Sequence, residues 1–198
     1  MFWLKETTPD SKSLTLSVNL SCRQFADPNL FHNIKTILDE TQFPANRLKL
    51  EITESVLFEH QERTIETLHQ LRELGIEIHI DDFGTGYSNL NYLRQLPIST
   101  LKIDRSFISP IEQSGRNTEI VQTIILLARN LGLKVIAEGV ESEIQLEELK
   151  KLHCESAQGP IFAKPMSIEE VQLFLNENEM ASIPESDFEN ISIVSTIQ

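Results

Sequence analysis

The sequence predicts an α/β fold, a TIM-like (β/α) barrel that is incomplete and lacks about its first two strands. Three observations predict it. Short apolar runs alternate with segments whose apolar residues recur at helical spacing, glycines stop the helical segments just before the next run, and the runs end in polar residues one after another.

The first run is Leu14 to Asn19, and Leu48 to Thr53 repeats its alternation. Ile65, Leu68, Leu71, Arg72 and Leu74 then form one helical stripe ending at Gly75, and the run Ile76 to Asp81 follows. Thr100 to Asp104 is the next strand. Ile120, Ile124, Leu127, Ala128 and Leu131 form a second stripe ending at Gly132, ahead of the strand Lys134 to Glu138 and a weaker one around Cys154 to Gln158. Repeated strand-helix order favours a parallel sheet covered by helices.

A doubly wound sheet and a barrel both satisfy that order. The first would usually carry a Gly-rich turn after its first strand, but the turn here reads Leu20-Ser21-Cys22-Arg23-Gln24. The second puts functional side chains at the C-terminal ends of several strands, and these runs terminate in Asn19, Glu51, Asp81-Asp82, Lys102 with Asp104, Glu138 and Gln158. A closed barrel of this kind needs eight strands, so the count falls about two short. Residues 1–177 are expected to form this partial domain and residues 178–198, acidic with Ser and Pro, a tail or linker.

With 198 residues, 40% hydrophobic and 24% charged, the composition fits one globular domain with a short tail. No apolar run approaches the roughly 20 residues that cross a bilayer, and Met1 to Glu6 has no secretory pattern, so a cytoplasmic location without membrane contact is expected. Cys22 and Cys154 have no metal or disulfide spacing. The formal charge of −13 opposes polymeric nucleic acid as a partner, yet acidic clusters hold cations that reverse the field a small phosphate meets.

Asn19, Glu51, Asp81 and Asp82 offer hard oxygen donors of the type Mg²⁺, Mn²⁺ and Ca²⁺ prefer, and adjacent aspartates can serve two ions. A single strand-end carboxylate is more often a solvated rim residue, and by itself Gly84-Thr85-Gly86 reads equally as a plain turn. His60, His69, His79 and His153 form no ligand constellation, and Trp3, Phe25 and Phe58 read as core or interface aromatics.

Ser17-Val18-Asn19-Leu20-Ser21, Glu51-Ile52-Thr53-Glu54, Asp81-Asp82-Phe83-Gly84-Thr85-Gly86, Leu101-Lys102-Ile103-Asp104, Ala137-Glu138-Gly139-Val140-Glu141 and Ala157-Gln158-Gly159 occur in that order. Together, over roughly Trp3 to Phe174, they strongly resemble the EAL family of cyclic di-GMP phosphodiesterases. The resemblance implies hydrolysis of that bacterial messenger to linear pGpG with two divalent cations, Mg²⁺ or Mn²⁺. It makes Asn19, Glu51 and Asp81 ligands of one metal, with Asp81 and Asp82 on the second. It gives Lys102 contact with the attacking water or a phosphate, Glu138 water activation or second-metal support, and Gln158 the orienting of water or substrate. Glu54 would anchor the Asp-Phe-Gly loop, and Asp104 and Glu141 would stand on the substrate side or behind the ligands. A homodimer pairing through helices near that loop, and fusion to upstream sensory or diguanylate-cyclase domains, are further implications.

The chain departs from the family in lacking the Glu-Ala-Leu strand end, whose glutamate is a metal ligand, and the arginine that follows it. Met1 to Leu4 reads as the end of the helix after that missing strand. Weak or no activity of this 198-residue chain is therefore expected, with a non-catalytic module that binds cyclic di-GMP or a protein partner as the alternative. Pro160 stands where the family commonly has an aromatic.

Overall fold

A computed structural model of the chain describes residues 15–54, 56, 61–86, 90–111, 115–167, 169–171 and 173–174. Met1 to Leu4, Phe58, His60, Tyr87, Ser88 and the segment 178–198 lie outside the described residues. Six parallel strands make one sheet in sequential order: β1 (Leu16–Leu20), β2 (Leu48–Thr53), β3 (Glu77–Phe83), β4 (Thr100–Ile103), β5 (Lys134–Glu138) and β6 (Ser156–Gln158). Among the described residues β1 and β6 each have a single neighbour, so the sheet is an open, incomplete TIM-like barrel.

Three strand bounds differ from the sequence reading, and the first is β3, which runs from Glu77 to Phe83 and not from Ile76 to Asp81. Asp104 is not the last residue of β4 but the N-cap of the next helix, its carboxylate accepting from the Ser106 backbone N–H at 3.0 Å. Cys154 precedes β6, where its thiol contacts the Ser156 carbonyl.

Between the strands run α1 (Cys22–Phe25), α2 (Leu30–Thr41), α3 (Gln61–Glu73), α4 (Leu90–Leu93), α5 (Arg105–Ile108), α6 (Gly115–Asn130) and α7 (Glu143–Lys151). Ser21 and Ser142 start α1 and α7 with reciprocal capping boxes through Gln24 and Gln145. Three helix stops share one device. At the end of α3 the Ile76 N–H bonds back to the Leu71 carbonyl and Gly75 to Arg72; after α6, Leu133 reaches Ala128 and Gly132 reaches Arg129. The same pair of bonds closes α7, Cys154 to Leu149 and His153 to Lys150, with His153 in the left-handed position that glycine fills elsewhere. The strain of that conformation, about 1 kcal/mol, is the price of a non-glycine there. His153, whose sequence context says nothing of this, is thus part of a helix stop.

The pleat divides the sheet's work. Leu50, Ile52, Ile78, Ile80, Leu101, Ile103, Val135 and Ala137 are buried on the face covered by helices. The register carries the alternate residues onto the other face: Asn19 opposite Glu51, Glu51 opposite His79, His79 opposite Thr100, and Glu138 opposite Gln158. That concave face is polar.

One irregularity decides where the aspartates point. Ile80 pairs with Leu101, but Phe83 pairs with Ile103, so β3 carries one residue more than β4 between those rungs. Asp82, at φ +53°, sits in that bulge. An unbroken strand would send Asp81 and Asp82 to opposite faces. With the bulge both carboxylates reach the concave side, and Phe83 returns to the apolar one.

Candidate functional site

The C-terminal strand ends surround one ammonium. Lys102 is 2 % exposed, and its Nζ lies 2.7 Å from Glu51 Oε2, 2.7 Å from Glu138 Oε1 and 3.0 Å from Asp81 Oδ1. These partners come from β2, β5 and β3. Asp82 joins from the bulge, since carboxylate oxygens of Asp81, Asp82 and Glu138 lie within 4.8 Å of one another.

Charge at this cluster is unbalanced. Burial would lower the Lys102 pKa, but Glu51, Glu138 and Asp81 outweigh it and hold the ammonium protonated well above its usual range. Burial, with Asp81 adding to it, pushes Glu138 up to about 7 even though Lys102 pulls the other way. Asp82 is also raised, first by burial and then by Asp81 and Asp104. One ammonium does not neutralise this many carboxylates, so the residues fit additional positive charge. Gln158 Oε1 and Asp81 Oδ1 are buried without accepting a hydrogen bond, and the donors are all hard oxygens. That combination suits Mg²⁺ or Mn²⁺ better than softer metals.

The other sequence-designated residues are placed as follows. Asn19 faces Glu51 across the β1–β2 register and is open to solvent. Gln158 stands beside Glu138 on β6. The Glu54 carboxylate lies against Gly86, where an added Cβ would come within 3.0 Å of Glu54 Cδ. The loop after β3 therefore packs directly on that side chain. Asp104 is held low because hydrogen bonds from Ser106 outweigh the opposing burial. Glu141 is exposed on the loop before α7, and its backbone N–H donates to Gln145 Oε1 at 2.7 Å.

A buried residue that sequence spacing missed lies one rung below. His79 is 2 % exposed, its Nε2 is 3.4 Å from Glu77 Oε2, and its Nδ1 has no hydrogen-bond partner. The available signal was its place two residues before Asp81, which puts it on the same strand face. Burial lowers its pKa to about 4 from a usual 6.5, with Lys49 and Lys102 pushing the same way and Glu77 opposing.

A prediction follows for the metal-free protein. His79 stays neutral when folded, so its contribution is intact above pH 6.5 and is lost as pH falls toward about 4. Glu138 works oppositely: its folded-state pKa is raised from 4.5, so it favours the folded state increasingly as pH falls from about 7 toward 4.5. Each effect is worth about 2 kcal/mol between roughly pH 7 and pH 5, and the two act in opposite directions. A His79→Gln variant unmasks the Glu138 slope. Urea unfolding in EDTA should show it gaining about 2 kcal/mol on acidification relative to the native chain; parallel curves for the two proteins would refute this.

The sequence matches the model of the EAL domain over residues 3–165. The chain belongs to the EAL domain family. Among EAL relatives, Cyclic di-GMP phosphodiesterase NbdA of Pseudomonas aeruginosa is 43% identical over 171 residues, 86% of this chain and 22% of NbdA. The chain thus spans under a quarter of that relative's length. The structure of the PaMucR phosphodiesterase in complex with c-di-GMP superposes with a TM-score of 0.79 at 41% identity, covering 85% of this chain and 67% of that one. The crystal structure of the EAL domain of Mycobacterium smegmatis DcpA gives a TM-score of 0.78 at 39% identity, over 82% and 73% of the two chains. Among the described residues no helix is long and apolar enough to cross a membrane.

Proposed function

We propose that this EAL domain hydrolyses cyclic di-GMP to linear pGpG with the help of two divalent cations, Mg²⁺ or Mn²⁺. The observation that carries the reading is the buried Lys102 ammonium gripped by Glu51, Asp81 and Glu138 beside the bulged Asp82. Relatives named as cyclic di-GMP phosphodiesterases support the substrate.

Water forms a new bond to phosphorus while the bond from phosphorus to the ribose 3′ oxygen breaks, and a proton passes from the water side to the leaving oxygen. Asn19, Glu51, Asp81 and Asp82 would hold the cations, which polarise the phosphoryl oxygens and make water more acidic. Glu138, raised to about 7, is suited to exchange a proton near neutrality. The Lys102 ammonium stabilises negative charge developing on phosphate oxygens, and Gln158 presents its amide to water or substrate. Glu54 fixes the loop after β3 through its packing on Gly86. Asp104, as the cap of α5, and Glu141 act by positioning the loops that border the site. We place the domain in the cytoplasm, as a homodimer, within a longer chain carrying sensory or diguanylate-cyclase domains.

The test is incubation with cyclic di-GMP and Mn²⁺ or Mg²⁺, with product analysis and binding calorimetry in parallel. The reading expects pGpG to accumulate only with metal. Binding without product would favour a non-catalytic cyclic di-GMP sensor, and neither binding nor product would overturn both.

A further inference from the structure

Lys102 puts a positive charge among the carboxylates proposed to hold the cations. An ammonium has three N–H donors, and here three carboxylates from three strands, Glu51, Asp81 and Glu138, stand 2.7, 3.0 and 2.7 Å from the nitrogen. The contacts to Glu51 and Glu138 are hydrogen bonds, and Asp81 Oδ1 is an ion-pair contact that accepts none. Divalent ions of this class sit about 2.0–2.2 Å from each oxygen ligand. A cation bound through the oxygens that face the ammonium would set positive charge beside positive charge around Lys102 and Glu51, both 2 % exposed at their side chains. On the oxygens that face the ammonium, the two compete.

We propose that Lys102 is an internal stand-in for the metal: its ammonium holds Glu51, Asp81 and Glu138 together in the metal-free protein and must withdraw when a divalent cation enters. The proposal rests on reading the cluster as a divalent-cation site, and it adds an order of events. Without the ammonium the carboxylates, which come from β2, β3 and β5, would repel one another inside the barrel. With it they stay gathered, and metal entry becomes an exchange of one cation for another. Four methylenes give the side chain the reach to retreat without moving β4. The displaced ammonium is then released from its three partners and available to a phosphate oxygen, so metal loading also prepares the substrate side.

The exchange weakens metal binding in the native chain by the cost of dislodging the ammonium, which gives the test. The full chain and its Lys102→Met variant are titrated with Mn²⁺ by calorimetry without nucleotide, and melting is followed with and without the ion. The variant should bind Mn²⁺ at least tenfold more tightly. Its metal-free melting temperature should be lower, and saturating Mn²⁺ should restore most of the difference. Equal or weaker binding by a folded variant overturns the proposal.

A second measurement uses the native chain labelled with ¹⁵N-lysine, so that it stands even if the variant does not fold. Lys102, assigned by its loss in Lys102→Arg, should give a slowly exchanging ammonium resonance that shifts or disappears as Mg²⁺ saturates the site. A resonance unchanged at saturation overturns the exchange while leaving the phosphodiesterase reading intact. If the native chain binds neither ion, the exchange and the metal-dependent function fall together.

Discussion

An Asp81→Asn variant is expected to keep less than about a tenth of the native chain's cyclic di-GMP hydrolysis, with little change in fold. Asp81 belongs to both charge groups of the site: it contacts Lys102 at 3.0 Å, and one of its oxygens lies within 4.8 Å of an oxygen of Asp82 and of Glu138. Replacing one carboxylate oxygen by an amide leaves the size and most contacts of the side chain in place. What it removes is one unit of negative charge at the point where two cations would be bridged. Mn²⁺ titration should therefore show loss of at least one binding event, and circular dichroism should match the native spectrum. A variant that retains a tenth or more of the native rate with unchanged metal stoichiometry would mean that Asp81 is not the bridging ligand.

The second large effect is on stability. Gly159, directly after β6, has no room for a side chain: a Cβ would lie 2.3 Å from both the nitrogen and the oxygen of Val140. Those backbone atoms are fixed, because the Val140 N–H donates to the Gln158 carbonyl at 3.0 Å and its carbonyl accepts from Ile161 at 3.1 Å. A flexible side chain could yield, but this doubly pinned backbone cannot do so without breaking bonds. Gly159→Ala should cost about 3 kcal/mol or more, a fall in Tm of roughly 6–12 °C, and should disturb Glu138 and Gln158, which flank the junction. Gly132→Ala is the control. Its Cβ meets nothing within 4 Å, and the only penalty is the left-handed φ of +73°, about 1 kcal/mol. Urea midpoints of the two variants separate steric exclusion from backbone strain, and equal losses would show the clash at Gly159 to be relieved elsewhere.

Much of the scaffold was legible because its determinants are local. Alternation in Leu48 to Thr53, the glycines at 75 and 132 and the polar strand tips are written in adjacent residues, and the structure has six parallel strands in chain order. What escaped depends on distance or on small geometry. The bulge at Asp82 arises from a mismatch between β3 and β4, invisible in either strand alone, and without it the adjacent aspartates would have been expected on opposite faces. Asp104 read as a strand end because polar residues finish the other strands, whereas Asp followed at the second position by a free backbone N–H is equally a helix cap. His79 looked like an isolated histidine, since its burial is a property of the folded sheet and not of the residues beside it in sequence. The gathering of Glu51, Asp81 and Glu138 on one lysine joins positions from three strands, and no spacing rule within one segment reports it.

Because successive residues of each strand point to opposite sides, Glu51 and Ile52 are covalent neighbours that answer to different selection pressures. Odd positions along β2 can drift toward new ligands or lose reactivity with the helical packing untouched, and even positions can be rebuilt for thermal robustness while the reaction chemistry is preserved. A mutational scan along this strand should accordingly separate into two interleaved populations, one scored by turnover and the other by abundance in the cell.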